Sequence, residues 1–565
     1  MSSQLPNLNL QETFSRKENL TNDFSQPGAI AAINSDLAIS ILSPSARPSP
    51  CIKQITEFPN EILDLIFSNF HTPTTVTGAH CIMRPPPSKA IKNARLTCRK
   101  FCQAATRYLM DFISIEATQE SLLYLKHFSN HPTIRHQIRV VHISFAQYNE
   151  DMTNYDVFLP ALALQLQHER HRDNYDLHTL QGEDLAKRHA LMGTAFEIEW
   201  HWNKFTNWGQ DASSQAFFET LERDTLAAFE DHGQRYQEQE RTQNDPLYVE
   251  RIAGALARMT GIKVIMVNDQ VFNRYGNTCE AGTQVWYHLG NNPSRLAQRY
   301  IRPLTSKQSR TFCTGFQFPI QVAMNLLVAL SPVNFQELNC LFPFGEARAG
   351  QSINLVDCAE NLHRLGKQLT RANFELPYFP LFPSLRSIDI KKWCLVLMSA
   401  TLGAAQLQSL HLGAKIPQGI SHHLIFDRVF TPEVLRTVLS RQQHGNLRRL
   451  ILEYVKIDRD VLNQIVLLSV NAAQSDSKDK RKLHLKLYGV QLDENSISWA
   501  EALDLLRGHV DDESTIRRVW REGEEDVPMD GGEDAIFGDW NLNPYRYTTQ
   551  ADRYIRGDPV PNPMT

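Results

Sequence analysis

This 565-residue sequence is poor in the features that would assign it a chemistry. Its nine cysteines, Cys51, Cys81, Cys98, Cys102, Cys279, Cys313, Cys340, Cys358 and Cys394, are odd in number, scattered and without a Cys-x-x-Cys pair, which suits a reducing compartment. Neither sign of charge is in excess. With 58 basic and 62 acidic residues the formal net charge is −4, so no global field draws the chain to nucleic acid or to an anionic membrane. Long apolar runs are missing as well. The most apolar stretch, FPIQVAMNLLVALSPV, is broken by Gln321 and Asn325 and is short for a bilayer span, and the start of the chain has no basic region leading into an apolar one. There is no Gly-x-Ser-x-Gly elbow, no phosphate-cradling Gly-rich loop ending in Lys-Ser or Lys-Thr, and no His-Glu-x-x-His helix. These absences predict a soluble protein, cytoplasmic or nuclear or both, with no cofactor or metal and with neither nucleic acid nor membrane as a partner; no enzyme signature is present, and an enzyme whose site is assembled from distant residues stays as an alternative.

What is present is apolar material in helical and strand patterns. Hydrophobic residues make up 42% of the chain, enough for a sizeable core in a few domains or in one long repeat array. In ITEFPNEILDLIFSNF, residues 55–70, Pro59 suits the first turn of a helix, and Ile62, Leu63, Ile66, Phe67 and Phe70 follow at spacings of three and four. In AIKNARLTCRKFCQAATRYLMDFISIE, the residues Ile91, Ala94, Cys98, Phe101, Cys102 and Ala105 fall on one helical face, after which Phe112, Ile113 and Ile115 read as a strand. Between the two lies HTPTTVTGAHCIMRPPPSK, where Pro85, Pro86 and Pro87 predict a loop. A helix pair of this size cannot close a core alone and buries its remaining apolar face against a partner or the next domain.

This order of segments resembles the F-box family, and within it the filamentous-fungal F-box proteins with irregular leucine-rich-repeat-like C-terminal regions. The likeness covers much of residues 51–145. The family's Leu-Pro-x-Glu-Ile-Leu stands here as Phe58-Pro59-Asn60-Glu61-Ile62-Leu63, and its Leu-x-x-Val-Cys-Arg-x-Trp as Leu96-Thr97-Cys98-Arg99-Lys100-Phe101. The resemblance implies a substrate-receptor subunit of a Skp–cullin–F-box ubiquitin ligase. It would bind the Skp adaptor, and the cullin through it, by Phe58, Pro59, Ile62, Leu63, Ile66, Leu96, Cys98 and Phe101, and would present a target protein without catalysing the transfer. The alternatives are an ordinary helical hairpin of a larger domain, and a repeat-based interaction scaffold with no ligase function.

Beyond the F-box segment a Leu-x-x-Leu-x-Leu pattern, with other aliphatics allowed, recurs at Ile138, Val141 and Ile143, at Ile262, Ile265 and Val267, at Leu385, Ile388 and Ile390, at Leu407, Leu410 and Leu412, and at Leu447, Leu450 and Leu452. A weaker copy holds Leu485 and Leu487, with Lys482 in the first place. Helical stretches such as PLYVERIAGALARMT and PEVLRTVLSRQQHG precede these copies, with Gly445 placed to cap the second. Repetition of helix then strand is how leucine-rich-repeat solenoids bury a continuous core, and unrelated strands of a mixed α/β domain are the alternative. The spacing is uneven, so insertions separate the units. Alternation along the strands turns Arg386, Asp389 and Arg449 away from the core, as target-binding candidates.

The expected organisation is therefore α/β: a disordered tail over 1–50, a helical F-box over 51–115, and an irregular leucine-rich-repeat-like solenoid over 116–510 with a helical insertion at 150–246. Residues 511–565 read as an acidic linker, REGEEDVPMDGGEDA, followed by the aromatic segment IFGDWNLNPYRY. Trp200, Trp202, Phe205 and Trp208 read as packing residues, and His168, His171 and His178 with Glu169 and Asp173 as a solvated helix face. Cys98 and Cys102 read as small buried hydrophobes, and Lys478, Lys480, Arg481 and Lys482 as a solvated loop.

Overall fold

A computed structural model describes residues 59–158, 212–268, 317–377, 406–415, 430–517 and 549–564, apart from short gaps at 72, 78–80, 84–88, 147, 149, 156, 319, 342–345, 348–354, 441–445, 475–481 and 494. The expected tail, the Leu385 repeat, the Trp200 and His168 clusters, Gly445, the linker acids and IFGDWNLNPYRY all lie outside the described residues, as do Lys478, Lys480 and Arg481.

The first described element, α1 (Asn60–Ser68), follows directly on Pro59. Its Leu63 and Phe67, one turn apart, are buried, and Phe67 meets Phe101 edge to face at 5.5 Å. The second half of the segment is two helices, not the single helix expected. Helix α2 (Lys89–Thr97) ends before Cys98, whose backbone is extended, and α3 (Arg99–Thr106) begins after it. The sulfur of Cys98 accepts from the Phe101 N–H at 3.5 Å, so this residue caps a helix that it was expected to lie within. An apolar stripe can be counted through a cap, but the N–H groups of the new helix can be satisfied only if the chain leaves helical geometry there. Arg107 donates to the Asp64 carboxylate at 2.5 Å and Tyr108 Oη to the Asp64 carbonyl at 3.0 Å, fastening α1 to the end of α3.

The Pro-containing insert is not all loop. Thr75–Thr77 (β1) and Cys81–Met83 (β2) form an antiparallel hairpin with Val76 opposite Ile82. Thr74 ties it down, donating its backbone N–H (2.7 Å) and its hydroxyl (2.6 Å) to the buried carboxylate of Asp111, with the His71 ring 3.7 Å from the same group. A buried carboxylate stripped of such donors costs about 1–3 kcal/mol or more. Deletion of residues 72–88 should therefore lower the thermal midpoint of the full chain, and Thr74→Val should lower it by less. A deletion variant that melts with the parent would show that the hairpin carries no part of the fold.

The rest is a mixed α/β structure around a parallel sheet of nine strands: β3 (Phe112–Ile115), β4 (Val140–Ser144), β5 (Val264–Asn268), β6 (Glu337–Leu341), β7 (Arg371–Pro377), β8 (Ser409–Lys415), β9 (Arg449–Glu453), β10 (His484–Tyr488) and β11 (Thr515–Arg517). Their spatial order is their chain order, so the sheet is open, with β3 and β11 at its edges. It runs past both expected boundaries: β3, assigned to the F-box segment, pairs with β4, and β11, assigned to the linker, pairs with β10.

One hydrogen-bond arrangement repeats across it. From β3 to β9 the carbonyl just before a strand accepts from two successive N–H groups of the next: Asp111 from Arg139 and Val140, Arg139 from Lys263 and Val264, Lys263 from Gln336 and Glu337, Gln336 from Thr370 and Arg371, Thr370 from Gln408 and Ser409, and Gln408 from Arg448 and Arg449. Two of these strands, β6 and β7, are absent from the sequence reading. Their hexapeptides are Phe335-x-x-Leu338-x-Cys340 and Leu369-x-x-Ala372-x-Phe374, where Cys and Ala stand in for an aliphatic.

The main core lies on the sheet face that carries Ile113 and Ile115, Val141 and Ile143, Ile265 and Val267, Leu410 and Leu412, Leu450 and Leu452, and Leu485 and Leu487. Helices cover this face: α4 (Gln119–Asn130), α6 (Tyr248–Ala257), α7 (Ile320–Ala329) and α8 (Leu355–Lys367), then α9 (Pro432–Ser440), α10 (Arg459–Gln474) and α11 (Trp499–Leu506). The long helix α5 (Ala212–Gln243), within the expected insertion, docks through Gln239, which accepts from Tyr148 N and donates to the Ala146 carbonyl, both at 2.8 Å. At the far end α12 (Gln550–Arg556) packs on α11, and its fully buried Asp552 accepts from the Ile516 N–H at 2.9 Å. That bond occupies a backbone donor on the last strand. Among the described residues no helix is long and apolar enough to cross a membrane.

Candidate functional site

Two surfaces stand out among the described residues. The first is on α1 and α2. Leu63 and Phe67 occupy one side of α1, while Ile62 (42% exposed) and Leu65 (63%) occupy another, with Ile66 half-buried between them. Nine residues at 100° apiece thus carry apolar groups on two sides, only one of which is packed. Helix α2 adds Leu96, 85% exposed, and Phe70 lies exposed just past α1.

Of the eight adaptor positions expected from the sequence, Pro59, Ile62 and Leu96 are exposed; Ile66, Cys98 and Phe101 are half-buried; Phe58 lies outside the described residues. Leu63 is fully buried within this chain, so it belongs to the internal packing of α1 and is withdrawn from the contact set. Leu65 and Phe70, exposed as well, are not among those eight. A stripe at spacings of three and four does not say which of two adjacent rows turns inward, so buried Leu63 was counted with the exposed row.

The second surface is the sheet face opposite the core. Register aligns its outward residues in rows across the strands. Phe112, Val140, Val264, Glu337, Arg371, Ser409, Arg449 and His484 form one row; Ser114, His142, Met266, Asn339, Asn373, His411, Ile451, Lys486 and Thr515 form the next. At the β3–β5 end Phe112, Val140 and Met266 are buried together. Beside them the His142 ring lies between Ser114 Oγ (2.8 Å, at Nδ1) and Asn268 Oδ1 (2.6 Å, at Nε2), which sets the tautomer with its proton on Nε2. In outline this is a hydroxyl, a base and an orienting amide. Burial, however, pushes the His142 pKa down to about 3, against a smaller upward pull from Asn268. A base so weak is a poor acceptor at neutral pH, and the ring has no exposed surface, so the trio is a polar staple across three strands.

Midway along the sheet His411 Nε2 lies 3.4 Å from Glu453 Oε2, an ion-pair distance and not a short hydrogen bond. Burial pulls the His411 pKa down more than any other single influence, but the hydrogen bond and charge of Glu453, with the charge of Glu375, outweigh it, and the net shift is upward. Gly413, next along β8, makes room: a Cβ there would stand 3.2 Å from Glu453 Cβ and 3.3 Å from His411 Nε2. Lys486 is pushed down, first by burial and then by Arg449. Of the expected target-binding residues, Arg449 is exposed on this face, and Arg386 and Asp389 lie outside the described residues. No group of three or more His, Cys, Asp or Glu able to hold a metal occurs among the described residues.

No protein-family model matches this chain, and no curated protein matches it.

Proposed function

We propose that this chain is a substrate-receptor subunit of a Skp–cullin–F-box ubiquitin ligase, with α1–α3 as its F-box and the parallel sheet with its helices as an irregular leucine-rich-repeat-like solenoid. The observation that carries the reading is the second apolar side of α1. A nine-residue helix already packed through Leu63 and Phe67 does not otherwise need Ile62 and Leu65, and a groove in an adaptor that takes an apolar helix face would bury them. The contact set is revised accordingly to Pro59, Ile62, Leu65, Ile66 and Leu96. Strands in chain order, helices on one side and a shared carbonyl at the six successive steps from β3 to β9 support the solenoid reading, in which each unit contacts only its neighbours. The receptor's contribution is proximity: holding a target beside a ubiquitin-charged enzyme raises the effective concentration of the acceptor amine.

A purified Skp adaptor tests this. It should co-purify with the full chain, and Leu65→Asp combined with Leu96→Asp should lower its affinity at least tenfold, because each carboxylate is desolvated in an apolar contact but stays in water in the unbound chain. Binding of the adaptor undiminished by this double variant would remove the F-box assignment and leave a repeat scaffold without ligase function.

A further inference from the structure

Two rows line the N-terminal rim of the sheet face. The first holds the residue just before each strand from β3 to β9: Asp111, Arg139, Lys263, Gln336, Thr370, Gln408 and Arg448. The second is the row from Phe112 to His484. Together they carry five cations, Arg139, Lys263, Arg371, Arg448 and Arg449, in a chain whose net charge is −4. Their two acids leave the cations in excess by three: Asp111 is held by Thr74 and His71, and Glu337 lies 3.6 Å from Arg371. Arg139, Lys263, Arg371 and Arg449 are exposed, whereas Asn339, Asn373 and Glu375 further along the strands are buried, so the rim is the accessible part of this face.

We propose that this rim binds an extended acidic peptide segment of the target protein; the proposal rests on the substrate-receptor reading and adds the chemical class of what is received. Spacing gives the class its detail. Lys263 stands just before β5, and Arg371 and Arg449 open β7 and β9, so a cation marks every second strand. Neighbouring strands lie about 4.8 Å apart, so these cations recur about every 10 Å, and an extended peptide in the polyproline II conformation, at about 3.1 Å per residue and three residues per turn, presents the same face again over about that distance. An acid at every third position therefore meets a cation each time, with Gln336, Ser409 and Gln408 between them as hydrogen-bonding groups. Nucleic acid fits less well. Glu375 and Glu453 lie four residues beyond the second row, about 13 Å further along the strands, and would repel a broad polyanion that a single peptide strand on the rim avoids.

The test uses the full chain and a fluorescein-labelled twelve-residue probe, Glu-Ser-Gly repeated, against a peptide of the same composition with its glutamates consecutive. Anisotropy should report binding of the spaced peptide that weakens as salt is raised and is several-fold tighter than that of the clustered one. Arg371→Glu with Arg449→Glu should lower that affinity at least tenfold while the thermal midpoint stays with the parent. No binding by the parent at low salt, equal binding of both peptides, undiminished binding by the double variant, or tighter binding of a single-stranded oligonucleotide would each overturn the proposal. Co-purification of the Skp adaptor is scored on the same samples, so loss of the adaptor with retained peptide binding points to the receptor reading and not to the rim.

Discussion

Leu63→Asp should unfold the N-terminal helical layer, whereas Leu65→Asp, two residues along the same helix, should leave it folded. Leu63 has no exposed surface, so the substitution removes an apolar side chain from a closed site and puts an unpartnered carboxylate in its place, at a cost of about 3–5 kcal/mol or more. The layer has few means to absorb that cost. Besides Leu63 its buried apolar side chains are Phe67, Ile91, Ala104 and Ala105, none of which belongs to the main core. Hydrogen exchange read by mass spectrometry distinguishes the two outcomes. In Leu63→Asp, peptides from residues 60–106 should lose protection while those from β8–β10 keep it; protection retained over 60–106 would refute the packing described for α1.

Acid should destabilise the sheet through His142. The ring is neutral in the folded chain down to about pH 3, while in the unfolded chain it takes up a proton below its ordinary value of 6.5. Between those values the unfolded state binds the extra proton, so stability is full above pH 6.5 and falls as pH drops, by up to about 1.4 kcal/mol per pH unit. His411 works the other way: its raised pKa supplies stability that is full below 6.5 and lost as pH rises through the folded value. His142→Gln keeps groups able to meet Ser114 and Asn268 but cannot titrate. Thermal midpoints from pH 7.5 to 4.5 should fall more steeply for the parent than for this variant, and parallel slopes would assign acid sensitivity to other groups.

How much of this was legible in the sequence depends on side-chain size at a few positions. β4, β5, β8 and β9 were readable because bulky aliphatics fill all three apolar places of their hexapeptides, as in Leu447, Leu450 and Leu452. β6 and β7 were not, because Cys340 and Ala372 hold an inward place without looking like core residues. β11 keeps only Ile516 of the pattern, and charged neighbours made it read as linker. In the insert, Thr75-Val76-Thr77 and Cys81-Ile82-Met83 have strand-forming character, but three consecutive prolines dominated the reading. The outward rows were beyond reach for another reason. Which cation stands beside which is decided by register between segments far apart in the chain, and no local pattern contains that.

The uneven spacing of the units has an entropic consequence. Val140 and Val264 stand in adjacent strands of one row, as do Arg371 and Ser409, although the first pair is joined by a far longer stretch of chain. Closing a flexible connection costs free energy only as the logarithm of its length, about 0.6 kcal/mol per doubling, so the long connection is penalised by about 1 kcal/mol relative to the short one. A single buried leucine outweighs that difference. Connection length is therefore nearly neutral in itself, and the cost of losing a segment lies in the core helices it carries, such as α6. The six-residue apolar pattern and the carbonyls shared from β3 to β9 carry the rest of the constraint.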